Sequence, residues 1–175
     1  PVTLEQSKTV IVPGPNEPGS GIMPQPPLSD ILLRGLGTRF PNVILSDNPC
    51  RIRLENKSIV LYSGLIGNSL VASRLPGMTH NGSKSETGEK LMRSVLSQMH
   101  LTPGPTRNKA VVWESDTSLR LYPPPNALYI ADKDIEQFQD EPNAETLFAC
   151  MPCFASEGEF HLYSPHNQET TLSSV

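Results

Sequence analysis

The distribution of proline constrains this chain more than any other feature. Eighteen prolines stand beside 12 glycines, a proline share well above the ordinary, and they fall in short clusters between apolar runs. Proline fixes φ, offers no N–H and disfavours helix at the residue before it. A sequence punctuated in this way predicts many short strands joined by fixed loops, with few helices. At 175 residues it amounts to one domain of ordinary size or a large piece of a bigger one.

Charge narrows the function classes. Fourteen Lys and Arg against 18 Asp and Glu leave a formal net charge of −4, with a pI near 5.5. That balance argues against a surface that is one continuous basic cradle for nucleic acid, while leaving room for a local basic strip. With 18% charged and 37% hydrophobic residues, the chain reads neither as a charged disordered tail nor as a coiled coil. No window approaches the roughly 18 to 20 apolar residues of a membrane span, so no membrane association is expected. The start, Pro1-Val2-Thr3-Leu4-Glu5-Gln6, shows no secretory pattern and no initiator Met, as expected of a processed chain or a fragment. Three cysteines make no disulfide framework and point to a reducing compartment.

Along the chain, Thr9 to Val12 reads as a buried strand ending in the rigid loop Pro13-Gly14-Pro15-Asn16-Glu17-Pro18-Gly19. Strand ends of this kind are where α/β folds place their chemistry. Ile22 to Leu28 should be extended, and Ser29 could cap a brief helix through Leu36, with Asp30 in its first turn. Asn42 to Leu45 is a short apolar strand. Cys50 to Leu54 alternates and, across Glu55-Asn56-Lys57, meets Ile59 to Tyr62 as a hairpin. Leu65 to Leu75 reads as helical, and Pro76 to Ser85 as an exposed loop. Ser83 with Glu86 fits a capping box, and Leu91, Met92, Val95, Leu96 and Met99 share one helical face. His100 to Pro105 breaks that helix. Strands are then expected at Ala110 to Trp113, Leu119 to Tyr122, Ala127 to Ile130, Thr146 to Cys150 and Glu159 to Tyr163, with Trp113 in the core. Asp132 to Asn143 is a polar, acidic stretch. Pro123-Pro124-Pro125 reads as a stiff connection between strands rather than a polyproline ligand. No internal repeat is present.

Positive signs of catalysis are few. Cys150-Met151-Pro152-Cys153 has the spacing of a metal or redox pair, but Cys50 is the one other cysteine and a tetrahedral zinc site needs four ligands. His161 and His166 follow without a ligand-type helix, so strand packing is the expected role of the pair. There is no Gly-x-Ser-x-Gly elbow around Ser20, and Gly35-Leu36-Gly37 lacks the rest of a phosphate-loop or dinucleotide fingerprint. His100 reads by default as a residue favoured at a helix C-terminus.

Several blocks together carry a family resemblance. Ile11 to Gly19, Met23-Pro24-Gln25-Pro26-Pro27-Leu28, Asp47-Asn48-Pro49-Cys50-Arg51-Ile52, Ser94 to Pro103 and Leu119 to Lys133 resemble the B (second, non-catalytic) subunits of the DNA polymerase alpha/delta/epsilon B-subunit family, the epsilon branch above all. They occur in the family's order over nearly all of residues 9–165, and against the family the exposed loop at 76–89 looks like a lineage-specific insertion. The resemblance implies an α/β (α+β) fold, the C-terminal part of a calcineurin-like phosphodiesterase two-sheet sandwich with flanking helices. Residues 1–175 would be that C-terminal portion, with an oligonucleotide-binding barrel and the first half of the sandwich upstream.

The resemblance also bears on chemistry. Active relatives hold two metals through a Gly-Asn-His-Asp/Glu turn and a later Gly-His-x-His turn. Here the first turn reads Gly14-Pro15-Asn16-Glu17, and the second reads Ala131-Asp132-Lys133-Asp134. Pro15 offers no side-chain donor, Asn16 lacks an imidazole, and Asp132 and Asp134 stand where histidines would be. His100 aligns with a further histidine, but one imidazole cannot rebuild a two-metal site. The implied protein is a non-catalytic nuclear scaffold without a cofactor. Its implied partners are the cysteine-rich C-terminal region of the catalytic subunit of DNA polymerase epsilon, components of the replicative helicase, and DNA indirectly through the complex. A phosphodiesterase or nuclease with altered ligands, in which Glu17, Asp132 and Asp134 bind Mg²⁺, and a B subunit of polymerase alpha or delta remain as alternatives.

Overall fold

The computed structural model describes residues 5–67, 84–102, 110–132, 138–139, 145–151 and 153–175. In chain order they form β1 (Thr9–Ile11), β2 (Ile22–Met23), α1 (Leu36–Arg39), β3 (Val43–Leu45), β4 (Cys50–Leu54), β5 (Lys57–Ser63) and α2 (Lys84–Gln98). Then come β6 (Ala110–Val111), a 3-10 helix (Trp113–Leu119), β7 (Ala127–Ala131), β8 (Phe138–Gln139), β9 (Leu147–Met151), α3 (Phe154–Glu157), β10 (Glu159–Ser164) and β11 (Glu169–Ser174). This is a mixed α/β architecture of one five-stranded sheet, three two-stranded sheets and few helices.

The central sheet has the order β4-β5-β7-β9-β8. Its middle strands β5, β7 and β9 run parallel, and β4 and β8 add antiparallel edges. Sequence accounts for this placement. Ala-Leu-Tyr-Ile-Ala in β7 and Leu-Phe-Ala-Cys-Met in β9 are apolar at every position, as strands covered on both faces must be, and both are almost wholly buried. β4 alternates, exposing Arg51 and Arg53, and so takes an edge. Its turn into β5 closes over Glu55 and Asn56 with Leu54 opposite Lys57, Glu55 adopting φ +53°.

Each face of the sheet has its own cover. On one, Val60, Tyr62, Leu128, Ile130, Phe148 and Cys150 pack with Leu91 and Val95 of α2 and with Met23, Leu101, Leu119 and Leu121. On the other, Ile59, Ala127, Tyr129, Leu147 and Ala149 form a second cluster against Tyr163 of β10. The sheet is therefore a middle layer between helix and loop on one side and the antiparallel β10–β11 hairpin on the other. The apolar face expected of α2 is the one it buries, and Met92, Leu96 and Met99 complete it. Met99, at φ +50°, turns the chain out of the helix.

Elsewhere the structure corrects the sequence reading. No helix runs from Ser29 to Leu36; a string of turns leads instead to α1. The Asp30 carboxylate accepts hydrogen bonds from Gly37 N–H (2.8 Å), Thr38 N–H (3.2 Å) and the Thr38 hydroxyl, so it serves the start of α1 and not a helix beginning at Ser29. The expected strand through Trp113 stops at Val111, because Ser115 N–H bonds back to the Val112 carbonyl at 2.9 Å and winds the chain into the 3-10 helix. Trp113 opens that helix 77% exposed; Leu119, at its end, fills the core position. Residues 119–122 form no strand, although Leu101 and Leu121 exchange backbone bonds with Leu119 and Met99 across a His100–Arg120 bridge. Residues 84–89, the end of the expected loop 76–89, belong to α2. The rest of that loop, the Ser83 cap and most of the 65–75 helix lie outside the described residues. With its indole in solvent, Trp113→Ala should change unfolding stability by no more than about 0.5 kcal/mol, the range of surface substitutions; chemical denaturation of the intact protein checks it.

Candidate functional site

Because β5, β7 and β9 are parallel, Ser63, Ala131 and Met151 finish on the same side of the sheet. β4 is antiparallel to β5, with Cys50 opposite Leu61, so its entry at Asn48 and Pro49 reaches that side as well. This is the end at which α/β sheets bind ligands, and the loop after β1 is tied into it.

Two buried amides do the tying. Asn48 is fully buried. Its Oδ1 accepts the Ser63 N–H at 3.1 Å, and its Nδ2 donates to the carbonyls of Ser63 (2.5 Å) and Pro13 (3.2 Å), with Gln25 Oε1 at 3.4 Å. Gln25, equally buried, donates Nε2–H to the Gly14 carbonyl at 3.1 Å. The two residues also exchange backbone bonds of 2.8 and 2.9 Å. Neutral amides can satisfy carbonyls and N–H groups at such a junction without burying a charge.

Asp132 follows β7 at the same end, is 1% exposed, and accepts the Gly67 N–H at 2.9 Å. Gly64 N–H bonds to the Ala131 carbonyl at 3.1 Å. A Cβ on Gly64 would come within 2.7 Å of the Tyr62 ring, so this turn requires glycine. Burial, reinforced by the Asp132 charge, raises the Tyr62 phenol and pushes the Cys150 thiol up to about 12. Cys150 is thus a protonated core residue at neutral pH, as its strand position predicts. Cys153 differs from that expectation: it is exposed, just ahead of α3, where hydrogen bonds from Ser156 lead in lowering its pKa.

The other residues singled out from sequence are dispersed. Pro15 is half-buried, while Asn16 and Glu17 are exposed in consecutive turns closed by Glu17 N–H to Gly14 O (3.3 Å) and Ser20 N–H to Glu17 O (3.1 Å). Asp134 lies outside the described residues. His100 is engaged with its own stretch of chain. Its Nδ1 accepts the Thr102 N–H at 3.1 Å, which leaves Nε2–H to donate to Asp116 Oδ1 at 3.1 Å. Asp116 also accepts from Arg120 Nε and Nη2, both at 2.9 Å. Those bonds, His100's first, hold the Asp116 carboxyl below the usual range. A depressed carboxyl stabilises the fold above its unfolded pKa, and this contribution is lost as pH falls through the lower, folded value. Asp116→Asn should therefore flatten the acid limb of a stability-versus-pH curve below about pH 4, as followed by denaturant titration at successive pH values.

Among the described residues no group of three or more His, Cys, Asp or Glu is arranged to hold a metal ion. Among the described residues, the donor set at the strand ends, two hydrogen-bonded amides and one buried carboxylate, does not fit a two-metal centre.

The sequence profile of the DNA polymerase alpha/epsilon B-subunit family matches residues 1–140. The chain belongs to that family. It is similar to the DNA polymerase epsilon B-subunit of Arabidopsis thaliana, 31% identical over 100% of this chain and 33% of the relative. Against DNA polymerase epsilon subunit 2 of Homo sapiens it is 36% identical over 98% of the chain and 32% of the relative. The epsilon B-subunit of Schizosaccharomyces pombe is 29% identical over 79% of the chain and 26% of the relative. The chain thus spans about a third of the length of these relatives, or less.

For this member of the B-subunit family, motif reasoning pointed to the loop of Pro15, Asn16 and Glu17 and to Asp132, and it passed over Asn48 and Gln25. Both amides lay in blocks that carried the resemblance. The available signal was a polar side chain set beside proline, in Pro24-Gln25-Pro26 and Asn48-Pro49, next to apolar runs. Such positions need a partner if the neighbouring strands bury them.

Proposed function

We propose that this chain is the C-terminal part of a non-catalytic subunit of the DNA polymerase epsilon complex, working in nuclear DNA replication as a scaffold. It binds the cysteine-rich C-terminal region of the catalytic subunit, meets components of the replicative helicase, and touches DNA through the complex. The observation that carries this reading is the occupation of the strand ends: Asn48 and Gln25 bridge Pro13, Gly14 and Ser63 where a hydrolase of related architecture would need open metal ligands. The three relatives reported above, each named as an epsilon subunit, favour the epsilon complex over alpha or delta. The layered sheet and hairpin are compatible with a portion of a calcineurin-like two-sheet sandwich, completed by chain upstream. A surface freed from catalysis is available for large protein interfaces.

The test uses the full-length protein. It should copurify with the epsilon catalytic subunit, show no Mn²⁺-dependent hydrolysis of a phosphodiester, and support unchanged polymerase activity when Asn16 is replaced by Ala. Hydrolysis abolished by Asp132→Ala would defeat the non-catalytic reading, and copurification with the alpha or delta catalytic subunit would defeat the assignment to epsilon.

A further inference from the structure

At one side of the central sheet lies β4, which pairs with β5 and, among the described residues, with no other strand. A two-residue turn joins the pair, so Leu54 and Lys57 exchange hydrogen bonds, and every second pair along an antiparallel ladder does the same. Leu54, Ile52 and Cys50, opposite Lys57, Ile59 and Leu61, therefore spend their N–H and C=O groups on β5. Those of Arg51 and Arg53 point away from the sheet, and among the described residues no other backbone group bonds to them. Both arginines are exposed, with side chains on the face of Val60 and Ser58, while Ile52 and Leu54 turn to the other face. Arg51 Nη2 donates to the carbonyls of Ser118 (3.0 Å) and Arg120, which holds the guanidinium in place and leaves Nε and Nη1 for a second partner. Among the described residues no carboxylate forms an ion pair with Arg51 or Arg53.

An open edge of this kind is a template for a further strand, and edge charges decide which strands it admits. We propose that the outer edge of β4 takes up an extended acidic segment of a partner protein as a sixth strand, its backbone pairing with Arg51 and Arg53. Side chains of the incoming strand alternate between the two faces of the sheet. Those beside Arg51 and Arg53 meet two guanidinium groups two residues apart, which carboxylates match with bidentate, charge-assisted bonds. Those beside Ile52, half-buried, and Leu54, 44% exposed, meet apolar surface. The segment that fits is therefore one in which acidic and apolar residues alternate. Repelling stray strands requires charge alone, whereas Arg51 is fixed by two carbonyls before any partner arrives, which lowers the ordering cost of binding. The edge also selects peptide over nucleic acid. A phosphate backbone has acceptors and no donors, and would leave the Arg51 and Arg53 carbonyls unmet; a peptide strand supplies both.

The experiment is amide hydrogen exchange, read residue by residue in the full-length protein, with a synthetic peptide of alternating Glu and Val as the probe. Without peptide, the Arg51 and Arg53 amides should exchange faster than that of Ile52, which is bonded to β5. Equal protection of all three would show the edge already covered by the protein's own chain and would overturn the proposal. Peptide at ten times its dissociation constant should slow the Arg51 and Arg53 amides about tenfold and leave Ile52 unchanged. No slowing up to millimolar peptide, or slowing that spares these two amides, would overturn it. A peptide of alternating Lys and Val should give no protection, and Arg53→Glu should reverse the preference between the two peptides. Because Arg53 is exposed, that variant should keep the exchange of Val60 and Leu128 unchanged, which separates lost docking from lost folding. Protection by both peptides alike would show that charge does not choose the strand. Displacement of the acidic peptide by an oligothymidylate would make the edge a nucleic-acid site. Either result would overturn the proposal.

Discussion

Asn48→Ala should destabilise the fold by about 3–5 kcal/mol, one of the two largest effects expected of any single substitution here. The methyl group leaves the Ser63 N–H without its acceptor and the Pro13 and Ser63 carbonyls without their donor, at a junction where Asn48 and Pro13 are buried and Ser63 is half-buried. Each buried group abandoned in this way costs about 1–3 kcal/mol. Because Gln25 meets Asn48 through its side chain as well as its backbone, Gln25→Ala should cost less and combine with Asn48→Ala less than additively. Asn48→Asp, which can accept but not donate, should lie near the alanine variant. Urea denaturation of the intact protein measures all of these, and a loss below about 1 kcal/mol for Asn48→Ala would mean that the loop after β1 relaxes to satisfy itself.

Phe148→Ala is the second. Phe148, the second residue of β9, is fully buried, with Leu128 beside it on β7, in the cluster that also holds residues of α2. Removing the ring should cost about 3–5 kcal/mol, combining lost transfer energy with the cavity left behind. Phe148→Leu fills most of that volume and should cost clearly less. Calorimetric unfolding distinguishes them: the alanine variant should melt several degrees below the leucine one, and equal melting points would place the ring outside the cooperative core.

The contrast between Phe148 and Trp113 shows where sequence patterning carried the fold and where it did not. β7 and β9 are uninterrupted apolar runs, and such runs have few alternatives to a strand buried on both faces. The hairpin of β4 and β5 and the apolar stripe of α2 were equally plain, since alternation and helical spacing are local properties. Ala110 to Trp113 also looks like a strand, yet the Val112–Ser115 backbone bond ends it, and nothing in four residues announces that bond. Asp30 misled for a related reason. Its carboxylate reaches seven and eight residues ahead to Gly37 and Thr38, beyond the one-turn range of a capping rule. At the candidate site, residue types alone singled out the 14–17 loop and Asp132. The amide bridge was not legible, because Asn48, Gln25 and Ser63 are brought together by sheet topology rather than by proximity in the chain.

That topology has a consequence for biosynthesis. β4 and β5 can pair as soon as both have left the ribosome, but the next strand of the sheet, β7, arrives only after the whole stretch from Ser63 to Ala127 has been made. Loop closure over such a distance must precede the contacts that reward it, which slows folding. In the interval the nascent hairpin presents Val60 and Tyr62 uncovered, an invitation to aggregation. A sheet wired in this order gains from co-translational handover to a chaperone, because its first hairpin is half of an interior.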